Sequence, residues 1–236
     1  MMQRGNEKEA RMRIPISYII EAGAPGWPGN EVYETEYVRM IEWGNVSNSG
    51  IFRMHEHYGT HMDAPWHFNA NGPKMAELPF DRYFYDSPLL LDIPKEGLQN
   101  LEPEDFEPWA DAIGACDFLM IRTGFEKYRA TDPVKYQMES PAISARGCEY
   151  LVKNFGGRLK TVCLDSQSLG NASDTSGDGV EAHRWMLGAY TDEFICVIED
   201  ATLSAVPADK ILRAAASVPL RLKGMDSSPV TAWVEL

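Results

Sequence analysis

Histidine is concentrated in one short segment of this 236-residue chain. Four of its five histidines fall between positions 55 and 67, where the sequence reads HEHYGTHMDAPWH. Alternate residues of an extended chain point to one side, so His57, His61 and Asp63 would share a face. Two imidazoles and a carboxylate are a donor set suited to Zn²⁺, Mn²⁺ or Fe²⁺. The segment therefore predicts a divalent metal site.

Glycine and proline within the segment would shape that site. Gly59 removes a side chain between His57 and His61 and would leave space for an ion. Pro65 cannot continue a regular strand, so it would end the extension and turn His67 to a different angle. The set has no thiolate and leaves coordination positions open, which is typical of catalytic zinc sites. The alternative is a polar, histidine-rich edge strand, for which Gly, Asp and Pro are poor choices.

The composition restricts the possible partners. The chain has 22 Lys+Arg against 35 Asp+Glu, a formal net charge of −13, whereas a nucleic-acid surface needs clustered cations. Apolar runs such as 194–198 are far shorter than the roughly 20 residues of a membrane-spanning helix. We therefore expect neither a nucleic-acid nor a membrane partner. Cys116, Cys148, Cys163 and Cys196 form no CxxC pair, which favours buried, reduced thiols in a cytoplasmic protein.

Short β-rich runs recur along the chain and would hold the site in place. They lie at 88–93, 117–122, 161–165, 194–199 and 230–235. Several are apolar at both alternating positions, as expected of strands that are buried on both faces.

Between two of these runs lies the pattern of an amphipathic helix. Apolar residues from Cys148 to Phe155 follow the i, i+3, i+4, i+7 spacing, with Ser144 as N-cap and Gly156-Gly157 as the end. A second short helix is predicted over 183–187. Segments 22–30 and 166–179 are rich in Gly, Pro, Ser, Asp and Asn and are predicted loops.

No repeat or linker divides the chain. Residues 1–13 form a polar tail without the apolar core of a secretory signal, and residues 14–236 are expected to form a single mixed α/β domain.

The segment from His57 to His67 resembles the HxGTHxDxPxH signature of the cyclase-like metal-dependent hydrolases, which include bacterial kynurenine formamidases and isatin hydrolases. The similarity continues in Glu77-Leu78-Pro79, in DFLMIRTG at 117–124 and in GMDSSPV at 224–230. It covers the chain from about Ile16 to the C-terminus. The resemblance implies a three-layer swivelling β/β/α fold, the cyclase fold, and a homo-oligomer, either a dimer or a larger assembly.

The resemblance also implies a ligand set. His57, His61 and Asp63 would bind a first ion, Zn²⁺ or Mn²⁺, and Asp63 would bridge to a second ion where two are present. His183 matches a later histidine ligand and Glu199 a later bridging glutamate. Taken alone, His183 could be an ordinary helix histidine, and Glu199 could be one partner of a buried salt bridge.

Two further residues are assigned by the resemblance. His67 matches the family's proton donor and acceptor; otherwise it would be a fourth metal ligand or a structural hydrogen-bonding group. Trp27, within PGWPG, matches an aromatic residue that packs on the substrate; otherwise it would be a core or interface aromatic.

These assignments predict a metal-dependent amide hydrolase. A bound ion would lower the pKa of water toward about 7 and polarise the carbonyl, while His67 would transfer the proton. Thr60 would orient the carboxylate ligands. The expected substrate is a small amide, either an aryl formamide such as N-formylkynurenine or a cyclic amide such as isatin, held by Trp27, Trp66 and Phe68. Two alternatives stay open: a metal-stabilised binding module without turnover, and a metal-dependent cyclase or dehydratase.

Overall fold

The computed structural model describes residues 11–30 and 33–236. In these residues the strands are β1 (Arg13–Pro15), β2 (Glu34–Arg39), β3 (Ser49–Arg53), β4 (His61–Asp63), β5 (Phe84–Tyr85), β6 (Pro88–Asp92), β7 (Asn100–Leu101), β8 (Phe118–Arg122), β9 (Ala142–Ile143), β10 (Thr161–Leu164), β11 (Cys196–Glu199), β12 (Ala214–Pro219) and β13 (Ser227–Glu235). The helices are α1 (Pro103–Phe106), α2 (Ala110–Ala115), α3 (Tyr128–Thr131), α4 (Pro133–Glu139), α5 (Ala145–Phe155) and α6 (Asp178–Met186).

One mixed, nearly closed sheet dominates the fold. Its strands follow the order β5-β12-β13-β4-β11-β10-β8-β6, and β1 also pairs with β13. Strands β6, β8, β10 and β11 run parallel to one another. Strand β4 runs antiparallel to both of its neighbours, β11 and β13. The short strand β4 therefore joins the parallel part of the sheet to its antiparallel part.

The parallel strands are buried on both faces, as their apolar runs predict. In β8, Leu119 and Ile121 pack in a cluster with residues of α5 and α6. Phe118 and Met120, on the opposite face, pack in a second cluster with residues of β12 and β13. The molecule thus has a helical layer, a parallel strand layer and an antiparallel strand layer. This arrangement confirms the predicted α/β, three-layer fold class.

All five predicted β-rich runs are strands, namely β6, β8, β10, β11 and β13. The largest difference is at β13, which begins at Ser227, three residues before the predicted start. Ser227 and Ser228 extend the strand because they pair with Asp63 and Met62 of β4.

The predicted amphipathic helix is α5, with the predicted cap. The Ser144 hydroxyl accepts a hydrogen bond from the backbone N–H of Gly147 at 3.0 Å, which satisfies one of the unpaired donors at the helix start. Cys148 and Leu151 are buried on its inner face, and the helix ends before Gly156.

The predicted second helix begins too late. The structure has α6 from Asp178, whereas the sequence placed a helix over 183–187 and a loop up to residue 179. The Asp174 carboxylate accepts hydrogen bonds from the backbone N–H groups of Ser176 and Gly179. This side-chain turn organises the chain before Asp178 and allows the helix to start earlier. His183 consequently lies inside the helix and is buried.

The described chain begins just before a strand, β1, that lies beside the C-terminal strand. Strand β1 begins at Arg13 and pairs with the C-terminal strand β13; residues 1–10 of the predicted tail lie outside the described residues. None of the helices in 11–30 and 33–236 has the length and apolar character needed to cross a bilayer. The four cysteines are all buried, as predicted, and are not in disulfides.

Candidate metal centre and active site

Strand β4 forms the centre of the candidate site. His61 and Asp63 are both buried and lie on one face of this strand. Glu199 of β11 pairs directly opposite His61, so its side chain lies on the same face. On the other side of β4, Asp63 pairs with Ser227, the residue after Asp226. Strand register thus brings together polar residues that are far apart in sequence.

The extended chain predicted from His57 to Asp63 is wrong before His61. Residues 56–60 form a turn, and Gly59 has a φ of +71°, a conformation that favours glycine. Gly59 therefore allows a turn at this point, in addition to leaving out a side chain between His57 and His61. The turn still returns His57 to the site, with its Nδ1 3.0 Å from Oδ1 of Asp63. Pro65 ends the strand as predicted and starts a 3₁₀ turn that carries His67.

Backbone carbonyls orient two of the histidines. The ring Nδ1 of His61 lies 2.8 Å from the carbonyl oxygen of Gly59, and that of His183 lies 2.6 Å from the carbonyl oxygen of Gly179. A carbonyl only accepts hydrogen bonds, so both Nδ1 atoms carry the proton. The Nε2 atoms of both rings are then free of protons in the neutral form and are directed at Glu199, at 3.2 Å and 3.4 Å.

The carboxylate of Glu199 is held in a fixed orientation. Its Oε1 accepts hydrogen bonds from the hydroxyl of Ser168 at 2.8 Å and from the backbone N–H of Leu169 at 2.6 Å. Its Oε2 is the oxygen that faces His61. Burial opposes the charge of Glu199, but His183 and His61 hold its pKa well below the usual range.

Three buried atoms of the centre that could bind a metal make no hydrogen bond within the described residues. They are Nε2 of His61 and both carboxylate oxygens of Asp63. A buried carboxylate is costly unless a positive charge or a metal compensates it, and the nitrogens nearest to Oδ1 of Asp63 belong to His57 and His61, at 3.0 Å and 3.6 Å. The donor atoms of His61, Asp63 and Glu199 lie within 4.8 Å of one another, and so do those of His57, Asp63 and His67. Nitrogen and oxygen donors at this spacing fit one or two divalent ions that share Asp63.

The electrostatics of the centre point the same way. Burial opposes a charged His57 ring, yet Asp63 and Asp226 raise its pKa to about 11. Burial also opposes the charge on His61, whose pKa is nevertheless raised by Glu199 and Asp63. The cluster of carboxylates therefore attracts positive charge strongly. A divalent cation would displace protons from the histidine rings when it binds.

His67 differs from His61 and His183 because a carboxylate, and not a backbone carbonyl, holds its ring. Its Nδ1 lies 2.6 Å from Oδ2 of Asp226, and its Nε2 lies 3.9 Å from Oδ2 of Asp63. Asp226 also faces Nε2 of His57 at 3.4 Å. Partial burial opposes the charge of Asp226, but hydrogen bonds with His57, His67 and Glu56 hold its pKa well below the usual range. An aspartate and a histidine in this arrangement are suited to proton transfer at Nε2.

A cavity of about 510 Å³ opens onto this centre. His57, His61, His67, His183 and Glu199 all contribute to its lining, which places four of the five predicted ligands and the predicted proton carrier at one cavity.

The outer wall of the cavity is mixed in character. Trp27 and Phe68 supply aromatic surface, and Phe68 stacks on the ring of His183 with centroids 4.5 Å apart. The amide side chains of Asn30, Gln167 and Asn171 supply polar groups.

The family comparison gives a clear result. Residues 14–170 match the model of the Cyclase family, described as "Putative cyclase". The chain belongs to the cyclase family.

Similar proteins extend this assignment. An uncharacterized protein of Haemophilus influenzae is 38% identical over 108 residues, which are 46% of this cyclase-family chain and 76% of that protein. Isatin hydrolase A from Labrenzia aggregata, solved with benzyl benzoate, matches with a TM-score of 0.81 at 17% identity, over 96% of this chain and 94% of that one. A Bacillus stearothermophilus protein described as a predicted metal-dependent hydrolase matches with a TM-score of 0.73 at 19% identity. The match covers 96% of this chain and 99% of that one. At such identities the structural likeness shows a shared fold.

Two expectations about individual residues are wrong for this cyclase-family chain. The Thr60 hydroxyl donates to the backbone carbonyl of Asp200 at 2.5 Å and accepts from the N–H of Tyr18, so it anchors backbone and does not orient a carboxylate ligand. Trp66 lies outside the cavity, with the Lys74 ammonium over its ring at 4.3 Å.

Two residues of the candidate site, Asp226 and Ser168, were not predicted from the sequence. Asp226 stands inside the GMDSSPV segment, where an acidic residue just before a buried strand was a usable signal. Ser168 lies in a loop, and nothing in its spacing indicates a contact with Glu199. His55, whose role the sequence left open, lines the cavity, and its Nδ1 accepts a hydrogen bond from the backbone N–H of His57.

Proposed function

We propose that this chain is a metal-dependent hydrolase that cleaves the carbon–nitrogen bond of a small amide. The observation that supports this most is that Nε2 of His61 and both carboxylate oxygens of Asp63 are buried and make no hydrogen bond within the described residues. They face only other ionisable side chains, such as His57 and Glu199, next to a cavity of about 510 Å³ that His61 lines. A protein that used these groups only for stability would pair them with hydrogen bonds.

The residues that would hold metal form one continuous cluster. His57, His61 and Asp63 would bind the first ion, and Asp63, His183 and Glu199 a second. These ligands offer only nitrogen and oxygen atoms, a set that is compatible with Zn²⁺ or Mn²⁺. When bound, such an ion supplies Lewis acidity, which activates water near neutral pH and polarises a carbonyl.

His67 would move the proton. Its Nδ1 donates to Asp226, so Nε2 is the nitrogen available to take a proton from the attacking water and return it to the leaving nitrogen. The negative Asp226 stabilises the ring while it carries the extra proton, and it fixes the ring orientation. This gives His67 a role that does not require it to be a metal ligand.

The cavity wall favours a small, flat amide. Trp27 and Phe68 would pack on an aromatic ring, and the neighbouring amide side chains would hydrogen-bond polar substituents. An aryl formamide such as N-formylkynurenine and a cyclic amide such as isatin both fit this description. The fold shared with isatin hydrolase A adds support for the second substrate class.

The proposal is tested by hydrolysis of N-formylkynurenine and isatin before and after chelation. We expect turnover of at least one substrate, loss of turnover on removal of metal, and recovery on addition of Zn²⁺ or Mn²⁺. His61→Ala is the matched control, because its turnover should not recover when Zn²⁺ or Mn²⁺ is added. Full activity in the chelated protein would contradict the proposal. Bound metal without turnover on a wider panel of amides and lactones would instead favour a binding module.

A further inference from the structure

We propose that Arg129 and Asp200 form a buried ion pair that positions Glu199 for the second ion of the proposed metal centre. Arg129 lies on α3, and Asp200 directly follows Glu199, the last residue of β11. The two residues are 8% and 0% exposed. Neither is among the proposed ligands, and neither lines the cavity, so they would act on the centre through Glu199. This role rests on the proposed function, because it requires an ion for Glu199 to bind.

The ion pair has a well-defined geometry. Nε of Arg129 lies 2.7 Å from Oδ1 of Asp200, and Nη2 lies 2.8 Å from Oδ2. A two-point contact of this kind fixes the plane of the carboxylate as well as its position. The Tyr136 hydroxyl on α4 donates a further hydrogen bond to Oδ1 at 2.8 Å. The side chain of Asp200 is therefore held by two helices, α3 and α4.

The backbone of Asp200 has an unusual conformation. Its φ is +53°, in the left-handed region that aspartate tolerates better than most residues but that costs energy in any residue other than glycine. This φ occurs immediately after Glu199, where the chain leaves β11. A strained residue persists only where its surroundings fix it. The ion pair supplies this fixation and therefore sets the direction in which the chain leaves Glu199.

The backbone N–H of Asp200 connects the pair to the loop that holds Glu199. It donates to the carbonyl oxygen of Ser166 at 2.9 Å. Further along the same loop, Ser168 and Leu169 donate the hydrogen bonds that orient Oε1 of Glu199. Displacement of Asp200 would therefore move both Glu199 and the groups that hold its carboxylate.

The carbonyl oxygen of Asp200 connects the pair to the segment before β4. It accepts a hydrogen bond from the hydroxyl of Thr60 at 2.5 Å, and Thr60 directly precedes His61. The Tyr18 N–H donates to the same hydroxyl, while the Tyr18 ring covers the Arg129 guanidinium at 3.8 Å. This contact reaches His61 only through the backbone, so the effect of the pair on His61 should be weaker than its effect on Glu199.

Stability alone does not explain a buried ion pair at this place. Burial removes the hydration of both charges, and their mutual attraction often does no more than offset that loss. Apolar residues of similar size can therefore replace such a pair with little effect on folding. Apolar side chains cannot provide the fixed orientation of a two-point contact. Orientation of the neighbouring Glu199 is thus the property that the pair adds.

Arg129 also neutralises the carboxylate of Asp200. The candidate centre already brings Asp63 and Glu199 close together. An uncompensated Asp200 would add a further negative charge next to Glu199 and would repel it. The guanidinium removes this repulsion, so Asp200 can hold the chain without competing for the ion.

The variant Arg129→Met/Asp200→Asn tests this role by metal binding. It removes both charges together, so no unpaired charge stays buried, and asparagine also tolerates a positive φ. Calorimetric titration of Zn²⁺ into the metal-free full chain measures each affinity, and Glu199→Gln identifies the binding event of the second ion. Affinity for the second ion should fall about 10–100-fold, as is typical when a group that orients a ligand is removed. Affinity for the first ion should change much less.

Arg122→Met/Asp92→Asn is the matched control. Arg122 binds Asp92 by a similar two-point contact, at 2.5 Å and 2.9 Å, and neither residue lines the cavity of the centre. This variant should keep both metal affinities. Chemical denaturation of the two double variants reports their stability. An equal loss of metal affinity in the control would show a general effect of destabilisation and would overturn the proposal.

Arg129→Met/Asp200→Gly separates the ion pair from the backbone conformation. Glycine adopts a φ of +53° without strain, so the conformation is kept while the pair is lost. We expect the same loss of second-ion affinity as in the asparagine variant. Wild-type affinity in the glycine variant would show that the conformation alone positions Glu199, and would overturn the role of the pair.

Failure of this role and failure of the proposed function give different results. If the wild-type protein binds one ion only, or if Arg129→Met/Asp200→Asn binds the second ion equally well, the role of the pair is overturned. Hydrolysis by the wild-type protein would still stand, since one bound ion can activate water. Wild-type protein that binds no ion and hydrolyses no amide would overturn both.

Discussion

The histidines of the centre differ in the group that holds the second ring nitrogen. His61 and His183 donate to neutral backbone carbonyls, which fix the tautomer and leave Nε2 as a metal donor. His67 donates to the carboxylate of Asp226, which fixes its tautomer and its ring orientation. This difference separates the proposed proton carrier His67 from His61 and His183, but not from His57, whose ring nitrogens face the carboxylates of Asp63 and Asp226.

The role of His67 leads to a first prediction. His67→Ala should retain bound metal but lose about 10²–10⁴-fold in kcat, because it removes the proton carrier and leaves the proposed ligands in place. Metal analysis and steady-state kinetics on the same sample check both parts.

His61→Ala is the control for this variant, and it should lose metal and activity together. If His67→Ala loses metal to the same extent, His67 is a ligand. If it keeps full activity, the acid–base assignment is wrong.

A second prediction concerns the charge of Asp226. Asp226→Asn keeps an acceptor near Nδ1 of His67 but removes the negative charge, so kcat should fall roughly 10–100-fold with little change in KM. Asp226→Glu, which restores the charge, should recover part of the loss. A change confined to KM would place Asp226 in substrate binding instead.

The raised pKa values of the ligand histidines give a third prediction. The carboxylates raise the pKa of His57 to about 11 against burial, and the pKa of His61 is also raised. A pKa of about 11 means that the metal-free protein holds the His57 proton at neutral pH, and a metal must displace it. Metal affinity should therefore increase as the pH rises from about 6 to about 8, with protons released on binding.

Calorimetric titration of Zn²⁺ into the metal-free protein measures this. Two buffers with different ionisation enthalpies should give different heats, from which the number of released protons follows. An affinity that does not depend on pH, with buffer-independent heats, would contradict the assignment of His57 and His61 as ligands.

At the scale of elements, the turn before β4 decides where His57 lies. The sequence suggested a strand that would carry His57, His61 and Asp63 on one face. Strand pairing exists only over His61–Asp63, and the positive φ of Gly59 folds His57 back onto Asp63. The two conformations bring the same side chains together, so the sequence pattern alone could not distinguish them.

A fourth prediction follows for this turn. Gly59→Ala should lower the free energy of unfolding by about 1–2 kcal/mol, because an L-residue is strained at a φ of +71°. Relief of that strain should also move His57 away from Asp63 and weaken metal binding. Gly23→Ala is the matched control, since Gly23 has a φ of +83° and open space around its added Cβ.

Chemical denaturation and metal titration of both variants separate the two effects. Both should lose similar stability, and only Gly59→Ala should lose metal affinity. Equal metal affinity in the two variants would show that the turn does not position His57.

The elements differ in how far the sequence could predict them. Strands buried on both faces, such as β8 and β10, were predicted because their apolar runs reflect burial directly. The start of α6 was missed because the Asp174 side chain, and not an apolar period, organises it. Strands β2 and β3 were not predicted, since they bury no face in this chain and so lack the usual pattern.

At the scale of the whole molecule, the sheet brings distant parts of the chain to one point. Strand β4 lies between β11 and β13, so residues near position 61 meet residues near positions 199 and 226, which are more than a hundred positions further along the chain. Such pairings depend on strand order, which local sequence patterns do not contain. The family resemblance supplied the candidate ligand set and the fold class, and the structure added Asp226 and Ser168 to the candidate site.

The most direct test of the account is the metal content of the purified, reconstituted protein, compared with that of Asp63→Asn. Asp63 belongs to two of the three groups of candidate ligands, the one with His57 and His67 and the one with His61 and Glu199, so this single substitution should remove the ions that these two groups would hold. We predict one or two equivalents of Zn²⁺ or Mn²⁺ in the wild-type protein and close to none in a folded Asp63→Asn variant. Wild-type protein without metal after reconstitution, or equal metal in the variant, would contradict the metal centre on which the proposed hydrolysis depends.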